Sequence, residues 1–201
     1  MDTFIPLPRQ FYSPSAQLVA PRLLGHLLIR NSPEGRSVGA IVETEAYLSN
    51  DPACHAARGK TERNRVMWGR PGSAYVYLIY GLHFCVNAVC RPEGVAEAVL
   101  IRAVEPIVGE ALMQARRPVS RTKDLANGPA KLCAALDITR QQDGVDLCAN
   151  DSPLVIGRNP QAKIYRKRRG PIIARPRIGI SRATDLLLRF YLSGSEFVSR
   201  K

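Results

Sequence analysis

The stretch from Pro71 to Cys90, PGSAYVYLIYGLHFCVNAVC, constrains the fold more than any other part of the chain. Two runs rich in Tyr, Val and Ile flank Tyr80-Gly81, and a glycine between β-favouring runs marks a hairpin because it accepts the positive φ of a tight turn. That reading puts Tyr80 at the tip. Tyrosine is not a usual turn residue, and a ring exposed at a hairpin tip adds nothing to the protein's own core. Either the ring folds back onto its own strand or it reaches outward to a partner.

The charge balance indicates what that partner is. The 201 residues carry 29 Lys and Arg against 17 Asp and Glu, a formal net charge of +12. Such an excess points to a polyanion and most often to nucleic acid, although a ribosome-adjacent or membrane-surface role gives the same balance. On a duplex, an exposed ring at a hairpin tip suits a wedge pushed between base steps. With 45% hydrophobic residues the chain can bury one substantial core, so a single domain over 1–201 is expected. No apolar stretch approaches the roughly 18 residues of a membrane span, and Met1 to Pro6 shows no basic region leading into an apolar core. The expected setting is cytoplasmic without a membrane, nucleoid-associated in a bacterium or nuclear in a eukaryote.

Five cysteines, at 54, 85, 90, 133 and 148, are an odd number without a C-x-x-C pair, which argues against a disulfide framework and for small core hydrophobes. A zinc site assembled from Cys54, His55, His83, Cys85 and Cys90 would match no familiar ligand spacing. No metal or cofactor is expected.

Along the chain, Ser13 as N-cap and Pro14 in the first turn open a helix whose apolar face is Leu18, Val19, Leu23 and Leu24, with a kink or break at Pro21 and an end at Gly25. His26–Arg30 and Ser37–Tyr47 read as an antiparallel pair of strands, and residues 50–71, basic and without periodicity, as a long ordered loop. Val95–Val104 reads as a strand, Ile107–Arg116 as a helix, and Asn127-Gly128-Pro129 as the cap of a short helix through Leu136 whose amides are also able to receive a phosphate. Residues 158–177 carry Lys and Arg without any acid, interrupted by Pro and Gly. They read as strands or loops, with the basic face either solvated or touching phosphates. Leu186–Leu192 reads as a final strand.

Strand alternation puts Glu43, Glu45 and Tyr47 on one face. In a phosphate-binding protein a carboxylate on the binding side repels the partner unless it has a chemical task or a basic neighbour. Arg102, a lone charge in an apolar strand, is the prospective neighbour, and Glu45 with Arg102 is either an ordinary ion pair or a catalytic one.

Taken in order, several motifs resemble one family. They are Glu43 to Tyr47, the Asp51 to Met67 stretch with His55 and Arg63-Asn64-Arg65, the hairpin through Asn87, Arg102 to Pro106, Gly128 to Leu132, Pro176 to Ile180, and Arg189-Phe190-Tyr191. Together they are similar to the 3-methyladenine (alkyladenine) DNA glycosylases from about Phe11 to Ser199. The resemblance implies base-excision repair, with a damaged purine flipped out of double-stranded DNA and its N-glycosidic bond hydrolysed. Carried over by position, Glu45 is the general base and Arg102 holds its water. Tyr47, His55 and Tyr77 surround the flipped base, Asn87 sits near the purine 2-position, and Tyr80 fills the gap in the duplex. The implied enzyme is monofunctional, metal-free and expected to act as a monomer on duplex DNA with damaged purines. Two positions depart from the family pattern, Pro21 inside the first helix and Leu187 where relatives commonly have proline, and neither touches a proposed site residue.

These roles have a geometric consequence. A two-residue loop at Tyr80-Gly81 would turn Asn87 away from Tyr77, whereas a three-residue loop, Tyr80 to Leu82, pairs Tyr75 with Asn87 and brings Tyr77 and Asn87 to one side. An odd loop or a bulge is therefore expected. The fold expected is mixed α/β (α+β), one domain with a curved antiparallel sheet, flanking helices and a protruding hairpin. Two other functions stay open on these residues, a non-catalytic nucleic-acid binder on the same scaffold and a glycosylase/lyase using a lysine such as Lys131.

Overall fold

The computed structural model describes residues 4–200. Its longest strand, β2 (Gly35–Tyr47), organises the sheet. The first half of β2 pairs with β1 (Leu27–Ser32), its second half pairs with β8 (Arg189–Leu192), and its other edge pairs with β5 (Glu97–Val108). Beyond β5 lie β4 (His83–Cys90) and β3 (Ala74–Ile79), and beyond β1 lies β6 (Leu154–Gly157). β7 (Ile172–Arg175) extends the sheet from β8. All pairings are antiparallel, and the eight strands curl into a half-barrel with four α-helices among the described residues.

Period-two patterning divides the two faces of this sheet. Ala74 and Val76 of β3 point into the main core, where they meet α1 (Ala16–Leu23) and α3 (Pro129–Ala135), while Tyr75 and Tyr77 point the other way into a smaller cluster with Cys54, Met67 and Ala98. The short helices are held by tertiary packing. Eight residues are too few for a stable isolated helix, whereas Leu23 and Leu132 are fully buried, each contributing about 1.5–3 kcal/mol.

The β3–β4 register is Ile79↔His83, Tyr77↔Cys85 and Tyr75↔Asn87, so Tyr80, Gly81 and Leu82 make the odd, three-residue connection expected. Tyr80 (φ 53°) and Gly81 (φ 72°) are both left-handed, the pair of positive φ angles that turns a hairpin with the right-handed twist of its strands. Tyr80 is 82% exposed.

Several expectations need correction. The first helix starts after Ser15, because Ser13 closes the preceding turn onto Gln10. It runs through Pro21 and ends at Leu23, short of Gly25. The strand expected over Val95–Val104 continues through Pro106 to Val108, so α2 is only Glu110–Arg116, entered from the left-handed Gly109. The final strand begins at Arg189, not Leu186. The basic run contains a helix, α4 (Ala162–Arg168), in addition to β7. Ala, Lys and Arg are good helix formers, and no Gly or Pro interrupts 162–168. Nor is the run one phosphate-facing surface: Arg177 is buried, and Arg169 ion-pairs with Glu105.

Candidate active site

A cleft of about 1020 Å³ opens over the tyrosine face of the sheet. Tyr47, Tyr75, Tyr77, Asn87 and Arg102 line it from β2, β3, β4 and β5. One flank is supplied by residues 52–58 of the long loop and the other by 178–182, with Tyr80 at the mouth. The loop of residues 48–73 is ordered by its own polar groups. Asn64 Nδ2 donates to the carbonyls of His55 (2.9 Å) and Gly59 (3.0 Å), fixing the flank that carries His55.

Beneath the cleft, two carboxylates share one arginine. Arg102 Nε is 3.3 Å from Glu43 Oε1 and its Nη1 is 3.3 Å from Glu45 Oε1. Two of the three register shifts in the β2–β5 ladder fall here, between Ile41 and Glu43 and between Glu43 and Thr44, so that Arg102 has no direct partner across the strands. Such bulges re-aim side chains, and this one lets a single guanidinium span residues 43 and 45. Glu43 is further held by Arg189 Nη1 at 2.8 Å and by the Ser199 amide at 2.8 Å, neither of which lines the cleft.

Glu45 differs from Glu43 in its partners. Its Oε2 accepts from the Tyr47 hydroxyl at 2.9 Å and its Oε1 from the Ile178 amide at 2.8 Å. Tyr47, Ile178 and Arg102 all line the cleft, while Glu45 is fully buried one side chain below its surface. Burial pushes the Glu45 carboxyl above its ordinary range, opposed by Arg102, the Ile178 amide and the Tyr47 hydroxyl. Arg102 stays charged: burial works against its cation, but Glu45 and Glu43 outweigh it and hold its pKa above the usual value. The arrangement is a buried carboxylate poised to accept a proton, next to a fixed cation that reaches the cleft.

The aromatic groups form one cluster. Tyr75 and Tyr77 stack with centroids 5.4 Å apart and planes at 29°, and His55 meets Tyr77 edge-on at 4.4 Å. His55 Nδ1 lies 3.0 Å from the Tyr75 hydroxyl. Burial, then Arg63, lowers the His55 pKa and favours the neutral ring. Asn87, 4% exposed, donates from Nδ2 to the Tyr75 carbonyl at 3.0 Å.

Glu45, Arg102, Tyr47, His55, Tyr77 and Asn87 thus meet at one place, with Tyr80 at its rim. Tyr75 belongs to the same cluster and was missed, although its alternation with Tyr77 was readable. Asp51, Arg177 and the Ile178 amide were missed because their contacts span more than a hundred residues. Lys131 is bonded to Asn127 Oδ1 at 2.8 Å and does not line the cleft. Among the described residues no three His, Cys, Asp or Glu side chains converge as a metal site requires, and no helix is long and apolar enough to cross a membrane.

Comparison with known proteins gives the same direction throughout. Residues 10–196 match the family model for methylpurine-DNA glycosylase. A protein of Methanoculleus marisnigri is 51% identical over 195 residues, covering 97% of this chain and 99% of its own. One of Methanocella arvoryzae is 48% identical over 200 residues (97% and 96%), and one of Carboxydothermus hydrogenoformans is 45% identical over 195 residues (97% and 99%). All three carry the name "Putative 3-methyladenine DNA glycosylase".

Proposed function

The chain belongs to the methylpurine-DNA glycosylase family, DNA-repair hydrolases of N-glycosyl bonds, and from that premise we propose that it flips alkylated or deaminated purines out of duplex DNA and hydrolyses their N-glycosidic bonds without cutting the backbone. The observation that carries this reading is Glu45, a buried carboxylate joined to Arg102, Tyr47 and Ile178, all three of which line an aromatic cleft.

A base inside a duplex shields its own sugar carbon, so it has to leave the stack, at a cost of a few kcal/mol that is least for damaged or mispaired bases. Tyr80, on a two-stranded arm beside the cleft mouth, offsets that cost by filling the gap. The extruded purine is received by Tyr47, Tyr77 and His55. Electron-rich rings favour the positive charge of 3-methyladenine and 7-methylguanine. A water beside Arg102 attacks C1′ as the bond from C1′ to the purine nitrogen breaks, and its proton passes to Glu45. A cationic purine departs neutral without further help, whereas hypoxanthine needs a proton as it leaves. Asn87 crowds the 2-position, disfavouring undamaged guanine.

Among the described residues no lysine lines the cleft, which supports a monofunctional enzyme. The test is incubation with methylated duplex, with and without alkali, together with borohydride trapping. Strand breaks only after alkali and no trapped adduct are expected; breaks without alkali, or a covalent adduct, would contradict the monofunctional reading, and absence of abasic sites would contradict catalysis altogether.

A further inference from the structure

Behind Tyr47 lies a buried ion pair that the reaction as described does not use. Arg177 is 5% exposed and Asp51 is 3% exposed. The guanidinium donates to both Asp51 oxygens, with Nη2 to Oδ1 at 3.0 Å, and its Nη1 also donates to the Ala46 carbonyl at 3.0 Å. Its Cζ stands 4.6 Å from the centroid of the Tyr47 ring, yet Arg177 does not line the cleft that Tyr47 lines. The cation therefore covers the ring from behind. Nε of Arg177 is buried without a partner, an unmade bond tolerated while the guanidinium lies against the ring.

Arg177 has a mechanical task here. It ties Asp51, at the start of the 52–58 flank, to the segment in which the neighbouring Ile178 amide bonds Glu45. That task has an electrostatic side effect: a cation on one face of an aromatic ring draws π density toward itself and weakens the attraction of the ring for a second cation. Alone, Arg177 would disfavour a positively charged purine at Tyr47. The Asp51 carboxylate, bonded through both oxygens, cancels its charge.

We propose that Asp51 and Arg177 are positioning residues that set the charge behind Tyr47, with Asp51 making the ring a good stacking surface for cationic, ring-methylated purines. The proposal rests on Tyr47 being a base-stacking surface. It concerns selectivity between charged and neutral lesions, which a purely structural ion pair would not move.

Single-turnover excision of 7-methylguanine, a cation, and of hypoxanthine, which is neutral, from one duplex sequence gives the ratio to be read. Asp51→Asn leaves the Arg177 charge uncancelled and is expected to lower the ratio of 7-methylguanine to hypoxanthine excision about tenfold, as one uncompensated charge in a partly buried site does. Arg177→Gln removes the cation and is expected to raise the ratio, so the direction is decided even if Asp51→Asn does not fold. Loss of stability slows both lesions alike. A ratio that is unchanged, or moves the opposite way, in either folded variant overturns the proposal. Tyr47→Ala serves as the separate control: excision of both lesions at the native rate in that variant would refute the stacking reading itself.

Discussion

Asn87 lies directly opposite Tyr75 in the β3–β4 ladder and donates to its carbonyl at 3.0 Å, so the residue proposed to crowd the purine 2-position is fixed by the strand it faces. Its amide nitrogen is committed to the backbone and its bulk faces the cleft. Asn87→Ala is therefore expected to have two effects. Stability falls by about 1–3 kcal/mol as a buried carbonyl loses its donor. Release of undamaged guanine rises, measured as free base from unmodified duplex; a destabilised variant without guanine release would reduce Asn87 to a structural role.

Tyr80 holds a positive φ and is exposed at the tip of the hairpin, where its ring stabilises nothing within the protein. Tyr80→Ala is expected to keep the thermal stability of the native protein and to slow excision from fully paired duplex. The loss should be much smaller on mismatched or single-stranded substrate, since a wedge matters only where there is a stack to hold open. Equal losses on all substrates would contradict the wedge.

Tyr47 hydrogen-bonds to Glu45, and that bond lowers a carboxyl pKa that burial has raised. Tyr47→Phe keeps the ring and removes the bond, so the Glu45 pKa should rise further. With Glu45 as the proposed base, activity is expected to be lost as pH falls through its pKa. The acid limb of the rate profile on 7-methylguanine is expected to move to higher pH in the variant; a limb that stays put or moves to lower pH would contradict the assignment of Glu45 as base.

With a net charge of +12, binding to duplex is expected to weaken steeply with salt, with a log-log slope of about −0.9 for each phosphate contacted. Equilibrium titration at several salt concentrations measures it. A flat response would point to a small-molecule substrate.

The parts of the site that were legible in the sequence are those governed by local periodicity. Alternation placed Glu43, Glu45 and Tyr47 on one face; the residues of the Tyr80 turn left its length open, and the odd length was expected from the roles that the family resemblance implies for Tyr77 and Asn87. The division of labour between the two acids was not legible from spacing. It comes from Arg189 and Ser199, 146 and 156 residues from Glu43, which satisfy that acid and leave Glu45 with the partners that line the cleft. The Asp51–Arg177 pair, 126 residues apart, was hidden for the same reason, and its arginine read as one more member of a basic surface. Helix α4 was obscured because its charges leave no apolar stripe: only Ala162 is buried on it.

Proton transfer from the attacking water to Glu45 is isolated by Glu45→Gln, which removes the base and one negative charge with almost no change in volume. Single-turnover excision of 7-methylguanine and binding to an abasic-site duplex are measured on the same preparation, with Glu43→Gln alongside. Excision should be abolished in Glu45→Gln while abasic-site binding is retained or tightened, and Glu43→Gln should lose far less activity. Native excision rates in folded Glu45→Gln protein would contradict the account.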